Sequence, residues 1–427
     1  MLSQEKQDAY LSILFKELKT ALGCTEPIAL AFAAAKAREI LGVLPERCEL
    51  DVCGNIIKNA KSVTVPNTGN LKGIPAAVAA GIIGGDSSLE LEVLTRISPA
   101  DEPVIAAFLK DVPITVTPSE SSKTLYIRLS VFAGTDSVSV TIADAHTHIS
   151  HIEKNGVTLY ESPESSAVTA DDPEYALLDV ESIVAFCKEA PLSSFAPLIR
   201  KQITLNSAIS REGLKNSYGA NIGKVLHSMH PDDLYTACQA AAAAGSDARM
   251  SGCELPVVIV SGSGNQGITA SLPVVEYAKQ TGASEELTLR AVLLSDLITI
   301  HQKTGIGKLS AYCGAVSAGI GAACGIAFIN GADSDTIAHT LVNAIAISSG
   351  IICDGAKPSC AAKIATSVYA GIMGYEMYRQ GQQFYGGDGI VTKGVENTIK
   401  TVGELAHTGM AETDKEILRL MTRPACL

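Results

Sequence analysis

Three cysteines stand where a bulky group could be approached: Cys313, Cys353 and Cys360. The first lies in Ala311-Tyr-Cys-Gly-Ala-Val-Ser-Ala-Gly-Ile-Gly-Ala-Ala-Cys324, the other two in Ile352-Cys-Asp-Gly-Ala-Lys-Pro-Ser-Cys360. Their neighbours are Gly, Ala, Ser and Asp, small enough to let backbone come close to a ligand. Asp354-Gly355 and Lys357-Pro358 read as turns, so the span from Cys353 to Cys360 is a tight loop. Two thiols on such a loop, with a third from a separate element, could hold an iron–sulfur cluster. Free cysteines are also common and inert in cores, and Cys-x6-Cys is no standard ferredoxin or zinc spacing. The spacing alone leaves both readings open.

A fourth cysteine, Cys24, lies in Gly23-Cys-Thr-Glu-Pro27. Thr25 suits an N-cap and Pro27 a first helical turn. That places Cys24 at a helix N-terminus, which favours thiolate. Polar residues gather at two further joints. Ala244-Gly-Ser-Asp-Ala-Arg-Met-Ser-Gly252 carries Asp247 and Arg249 among small residues. Ser261-Gly-Ser-Gly-Asn-Gln-Gly267 reads as a loop entering a helix, a natural cradle for carboxylate or phosphate. No Gly-Lys-Ser/Thr follows, so it is no Walker loop, and no complete βαβ unit makes it a dinucleotide fingerprint. Asn67 and Thr68 could bind a carboxylate or simply close a turn. His146, His148 and His151 alternate imperfectly and read as hydrogen-bonding strand residues in preference to zinc ligands.

These residues need a scaffold, and the chain of 427 residues is long enough for two domains. It is 47% hydrophobic but only 5% aromatic, without Trp, so its core is built of Ala, Gly and aliphatic residues at close approach. A net charge of −12 argues against nucleic acid and against an anionic membrane surface. Gly314 to Gly331 lacks charge, but its Gly and Ala content reads as a buried helix and not a membrane span. Residues 1 to 20 read as an amphipathic helix and not a leader. With eleven cysteines, an odd number, the expectation is a cytoplasmic protein with free or metal-bound thiols.

Periodicity predicts strands at Glu49 to Val52, around Val63, at Leu89 to Ile97 and at Val112 to Val116. A hairpin is predicted from Leu125 to Ala143, and a last strand ends at Tyr160. Helices are predicted to about Leu41, over Ile74 to Ile83 and over Ala100 to Lys110. Residues 161 to 175 read as a linker, and beyond them Ala-rich helices alternate with Gly-rich joints. The predicted fold is α+β: a mixed α/β portion with a small sheet over 1–175, and a larger all-helical domain over 176–427. The first helices are expected to pack on the second domain. An extensive Ala/Gly surface is compatible with a homodimer.

Taken together, Gly23-Cys-Thr-Glu-Pro27, Ser246-Asp-Ala-Arg-Met250, Ser261 to Gly267, Cys313, and Cys353-Asp-Gly-Ala with Cys360 resemble the L-cysteine desulfidase family. Those are iron–sulfur lyases related to the alpha chain of iron–sulfur L-serine dehydratase. The resemblance covers nearly the whole chain. It implies a 4Fe-4S cluster held by Cys313, Cys353 and Cys360 with one iron open, and Cys24 as the proton-abstracting group. It leaves Cys324 structural and assigns nothing to Cys426. The serine dehydratase pattern places more residues between the last two ligands, which favours the desulfidase branch. The implied partner is a small amino acid, its carboxylate cradled by Ser261, Ser263, Asn265 and Gln266, with Arg249 or Asn67. The competing expectations are an L-serine dehydratase, a lyase for a related β-substituted amino acid, and a cluster-free binding scaffold.

Overall fold

The structure, a computed structural model, describes residues 2–162, 173–307 and 309–421. Most of the stretch 161–175 therefore lies outside the described residues, as does Cys426. The fold is α+β, with a small mixed sheet in the first part of the chain and helices in the rest. The six strands run in the spatial order Ile114–Pro118, Arg47–Val52, Tyr126–Ala133, Asp136–Ala143, Ile149–Lys154, Val157–Glu161. Only the first pair is parallel; the others are antiparallel. In the second strand Cys48, Leu50 and Val52 are buried and alternate with more exposed residues, the period-two pattern of a strand with one covered face.

That face is covered by the helix Thr25–Leu41, which is buried almost throughout. Behind it lies the helix Gly73–Gly84. The two helices approach so closely that a Cβ on Gly81 would fall 2.3 Å from the Ala31 carbonyl oxygen. A short strand, Thr20–Leu22, pairs antiparallel with Pro256–Val258. It ties the segment before Cys24 to the helical part of the chain.

The helical part is built from Leu192–Lys215, Leu234–Met250, Gly264–Thr281, Glu285–Ile306, Gly314–Ile329, Ser334–Ser348 and Cys360–Arg379. Its Gly and Ala content has a direct packing use. A Cβ on Gly319 would sit 2.6 Å from the Ser367 backbone, and one on Gly267 would sit 2.0 Å from the Val258 carbonyl oxygen. Gly314–Ile329 is buried on nearly all sides, as its composition predicts. Among the described residues no helix is long and apolar enough to cross a membrane.

Several local expectations are corrected. Leu89 to Ile97 is not a strand but a 3₁₀ turn, Ser87–Glu92, followed by irregular chain. Leu91, Val93 and Leu94 are buried from a loop closed on itself by Asp86, so alternation here reflects burial without a partner strand. Around Val63 the only pairing is an isolated bridge between Thr64 and Lys72. Asp247 and Arg249 are not on a joint: the helix Leu234–Met250 runs through both, with Gly245 packed against Ile268. Half of Ser261 to Gly267 is already helix, beginning at Gly264. The cap position of Thr25–Leu41 is Cys24, and the Thr25 hydroxyl reaches the Gly262 carbonyl oxygen at 3.0 Å instead of capping.

One buried group gives the fold a pH signature. Asp296 is fully buried; its Oδ1 accepts from Gln202 Nε2 at 2.9 Å, while Oδ2 has no partner. Burial pushes its carboxyl up to about 8. The folded chain therefore binds this proton more tightly than the unfolded one. Its contribution is complete below the ordinary carboxylate range and is lost as pH rises toward about 8. Asp296→Asn removes this loss. Urea titrations at pH 5 and pH 8 are expected to show the variant gaining on wild type by on the order of 1 kcal/mol or more over that interval.

Candidate active site

Four helices begin on the wall of one cavity: Thr25–Leu41, Gly264–Thr281, Gly314–Ile329 and Cys360–Arg379. None of the four receives a side-chain cap. By contrast, Ser3, Asp179, Asp233, Ser284 and Asp333 each cap a helix elsewhere. Uncapped first turns present free N–H groups and the positive end of the helix dipole. At Cys360–Arg379 the Cys360 and Ala361 N–H groups are spent on the Lys357 and Pro358 carbonyls, and the other three starts make the space receptive to negative charge.

The cysteines sit at these starts. Cys24 and Cys313 occupy N-cap positions, and Cys360 is the first residue of its helix. Cys353 comes from the loop before it. That loop is held beside Cys313 by an antiparallel bridge, Tyr312 to Ile352, with the Cys313 N–H on the Ile351 carbonyl at 3.1 Å and the Cys353 N–H on the Ala311 carbonyl at 2.6 Å. Lys357 and Lys363 both pair with Asp354, and Lys363 Nζ also donates to the Ile352 carbonyl at 2.8 Å. Gly355, at φ 92°, lies against the Lys58 carbonyl, where a Cβ would fall at 2.3 Å. The loop predicted between Cys353 and Cys360 is thus a stitched turn, and Cys24, Cys313, Cys353 and Cys360 all line the cavity.

The thiols are not ionised by their helix ends alone. Burial pushes Cys24 well above the usual thiol range; the Glu26 carboxylate adds to this and Arg249 opposes it. This corrects the expectation of a preformed thiolate at Cys24: desolvation and a neighbouring anion outweigh the N-terminus. Burial likewise raises Cys313, to about 12, with Cys353 adding to it, and also raises Cys360. Lys303, buried in the same wall, is pushed down by burial to about 8 against the pull of Cys353 and Cys313.

Of the polar residues singled out in the sequence, Arg249, Ser263, Asn265 and Gln266 line the cavity. Arg249 is 3% exposed; its Nη1 donates to Asn265 Oδ1 at 3.2 Å, while Nε and Nη2 have no partner. Gln266 Oε1 is also buried without a partner. Ser261 and Asn67 are not in the wall. Ser261, at φ 47°, belongs to the turn closed between Val260 and Ser263. Asn67, at φ 57°, spends its amide on the Leu94 carbonyl at 2.9 Å, which is the turn-closing role. Asp247 also stands apart, accepting from the Gly223 N–H at 3.0 Å. Only His151 is a strand residue, reaching Thr158; His146 and His148 lie in the turn before Ile149–Lys154, where His148 bridges the Ala143 carbonyl and Ser162, which corrects the expectation of three strand histidines.

Sequence reasoning missed Glu26, Lys58, Asn59, Lys303 and Tyr312, all of which line the cavity. Glu26 resembles an ordinary acidic residue in a first helical turn. Lys58 and Asn59 lie on a short helix, Gly54–Ala60, that carries no clear period. His146 lies near the site, with Nε2 3.7 Å from Glu26 Oε1.

A helical scaffold that gathers thiols at helix starts around a buried cation defines a class of sites built for anionic or electron-rich ligands. The sequence pattern of the serine dehydratase alpha chain family matches residues 112–419. A UPF0597 protein of Desulfitobacterium hafniense is 53% identical over 421 residues, covering 98% of each chain. UPF0597 proteins of Lachnoclostridium phytofermentans and Finegoldia magna are 46% and 44% identical, each covering 96% of this chain and 98% or more of the relative. The chain belongs to the serine dehydratase alpha chain family.

A buried cation with unmet donors destabilises a protein that holds no ligand. Arg249→Met is therefore expected to raise the unfolding free energy of the ligand-free protein by roughly 1–2 kcal/mol, measured by urea titration. A loss of stability would show that Arg249 is a structural strut.

Proposed function

We propose that this protein is an iron–sulfur-dependent lyase that eliminates sulfide from L-cysteine, yielding pyruvate, ammonia and hydrogen sulfide. The observation that carries this reading is the meeting of Cys24, Cys313, Cys353 and Cys360 on one cavity among four uncapped helix starts. Family membership supports a lyase of the serine dehydratase kind.

The residues suit the cluster. Cys313 feels both Cys353 and Cys360 as near neighbours, and the three thiols come from separate positions on the wall, as ligands to separate irons of a cluster would. Raised thiol pKa values mean that thiolates here need cationic compensation, toward which Lys303 and the helix N-termini contribute and which a bound cluster would complete. Cys313, Cys353 and Cys360 would hold the cluster. When bound, it supplies an open iron as Lewis acid toward the leaving sulfur.

The remaining work belongs to the chain. The Arg249 Nε and Nη2 groups bind the substrate carboxylate, a planar fork matched to a planar acceptor. Ser263, Asn265 and Gln266 at the start of Gly264–Thr281 add polar contacts and N–H groups. Cys24 must first give its own thiol proton to solvent, a loss that the positive charge of Arg249 favours; as a thiolate its Sγ then removes the Cα proton. The aminoacrylate, once released, hydrolyses in solvent to pyruvate and ammonia. A second reading, L-serine as substrate, draws on the family's printed name. The six residues between Cys353 and Cys360 favour L-cysteine, because the serine dehydratase pattern has more.

Anaerobic preparations test this directly. Cys353→Ser is expected to lose iron and the cluster absorbance, while Cys238→Ser, in a helix away from the cavity, keeps both. Cys24→Ser is expected to keep iron and absorbance but to release sulfide roughly a hundredfold more slowly or worse, with slower exchange of the Cα proton. Normal iron content in Cys353→Ser would sink the ligand assignment. Iron loss in Cys24→Ser would make that residue a ligand. Sulfide from L-cysteine measured beside pyruvate from L-serine decides the substrate.

A further inference from the structure

Glu26 is the one carboxylate among the described residues that line the cavity, and it is 6% exposed. Its Oε1 accepts from Asn59 Nδ2 at 3.0 Å, with His146 Nε2 at 3.7 Å. Its Oε2 is 3.2 Å from Cys24 Sγ and 3.1 Å from Thr25 Oγ1. These partners do not fill it. A carboxylate has about four acceptor positions. His146 is a long contact at 3.7 Å and a charge partner only when protonated, so it leaves room for a second cation on the carboxylate. The single Thr25 hydroxyl proton has a rival acceptor in the Gly262 carbonyl at 3.0 Å. Burial alone would raise the Glu26 carboxyl, but His146 and the Cys24 thiol bring it down to about 2, so it is ionised at any working pH.

The same cavity holds the Arg249 guanidinium with two unpartnered nitrogens. Of the other cations in the wall, Lys58 is already bound to Asp414 and Lys303 lies near Cys353 and Cys313. One open carboxylate and one open guanidinium in a buried space match a zwitterion, whose ammonium and carboxylate hang from a single carbon. We propose that Glu26 receives the α-ammonium group of the substrate, and that it makes the site select α-amino acids over acids lacking the amine. The proposal rests on the lyase reading above and adds to it the choice of substrate class. It also explains why Cys24 shares Oε2. An amine held on that oxygen leaves Cα one covalent bond away, with its hydrogen beside the Cys24 sulfur.

L-Alanine and propionate differ only by the ammonium and carry no thiol to meet a cluster. Their binding to the cluster-loaded enzyme, read by calorimetry and by inhibition of L-cysteine turnover, tests the assignment. Wild type is expected to bind L-alanine at least roughly tenfold more tightly than propionate, the scale of a hydrogen bond to a charged group. Glu26→Gln is expected to close the gap by weakening L-alanine, with propionate changed by less than about twofold. Propionate binding as tightly as L-alanine in wild type would overturn the proposal, and that comparison needs no variant. Equal weakening of both probes by Glu26→Gln would overturn it too, by making Glu26 structural. If the calorimetric gap is present but L-cysteine yields no sulfide, the ammonium site stands and the lyase reading falls.

Discussion

The cavity exists because four helix starts are brought to one place and left uncapped. Helix starts leave N–H groups to be met, and at five helices elsewhere Ser or Asp side chains meet them, although Gly73–Gly84 and Leu192–Lys215 also start without a side-chain cap. Here the cap positions are Cys24, Ser263, Cys313 and Ser359, and none caps. The arrangement concentrates positive potential where Cys313, Cys353 and Cys360 would have to lose protons to hold the proposed cluster. Bringing the starts together requires helices at close approach, which the Gly and Ala residues allow. Gly264 and Gly314 do this at the wall itself: a Cβ on the first would fall 2.3 Å from Arg249 Nε, and one on the second 2.7 Å from the Gln266 side chain.

The sheet serves the same end from a distance. The helix that begins at Cys24 is clamped between the sheet and Gly73–Gly84, so its position is set by burial along its whole length. Its entry segment is fixed separately, by Thr20–Leu22 on Pro256–Val258 and by the Lys19 carbonyl, which accepts from the Ile259 N–H at 2.8 Å. Two residues beyond Ile259 the chain turns through Ser261 into the helix carrying Asn265 and Gln266. Cys24 and the polar cradle are therefore positioned by opposite ends of one short strand pair.

Much of the site was legible because its residues are conspicuous. Cysteines flanked by Gly, Ala and turn residues, and Gly-Ser-Gly-Asn-Gln before a helix, mark themselves in one dimension. The α+β order was legible because strands with one covered face alternate and Ala-rich helices do not. What was not legible depends on burial of polar groups. Glu26, Lys58 and Asn59 look like surface residues until the structure places them at 6%, 3% and 7% exposure. The ionisation of Cys24 was misjudged for the same reason: the helix start could be read locally, whereas the desolvation and the Glu26 charge that oppose it belong to the folded cavity.

The unmet polar atoms in the cavity wall support the proposal of a ligand with separated charges. Ordinary cores satisfy nearly all buried polar groups. In this chain Arg249 Nε and Nη2 and Gln266 Oε1 are buried without partners in the cavity wall, and His146 Nε2 lies just behind it. An apolar ligand would leave these costs in place, and a simple anion would answer Arg249 but repel Glu26. A small zwitterion answers both, with its third substituent free to face the thiols.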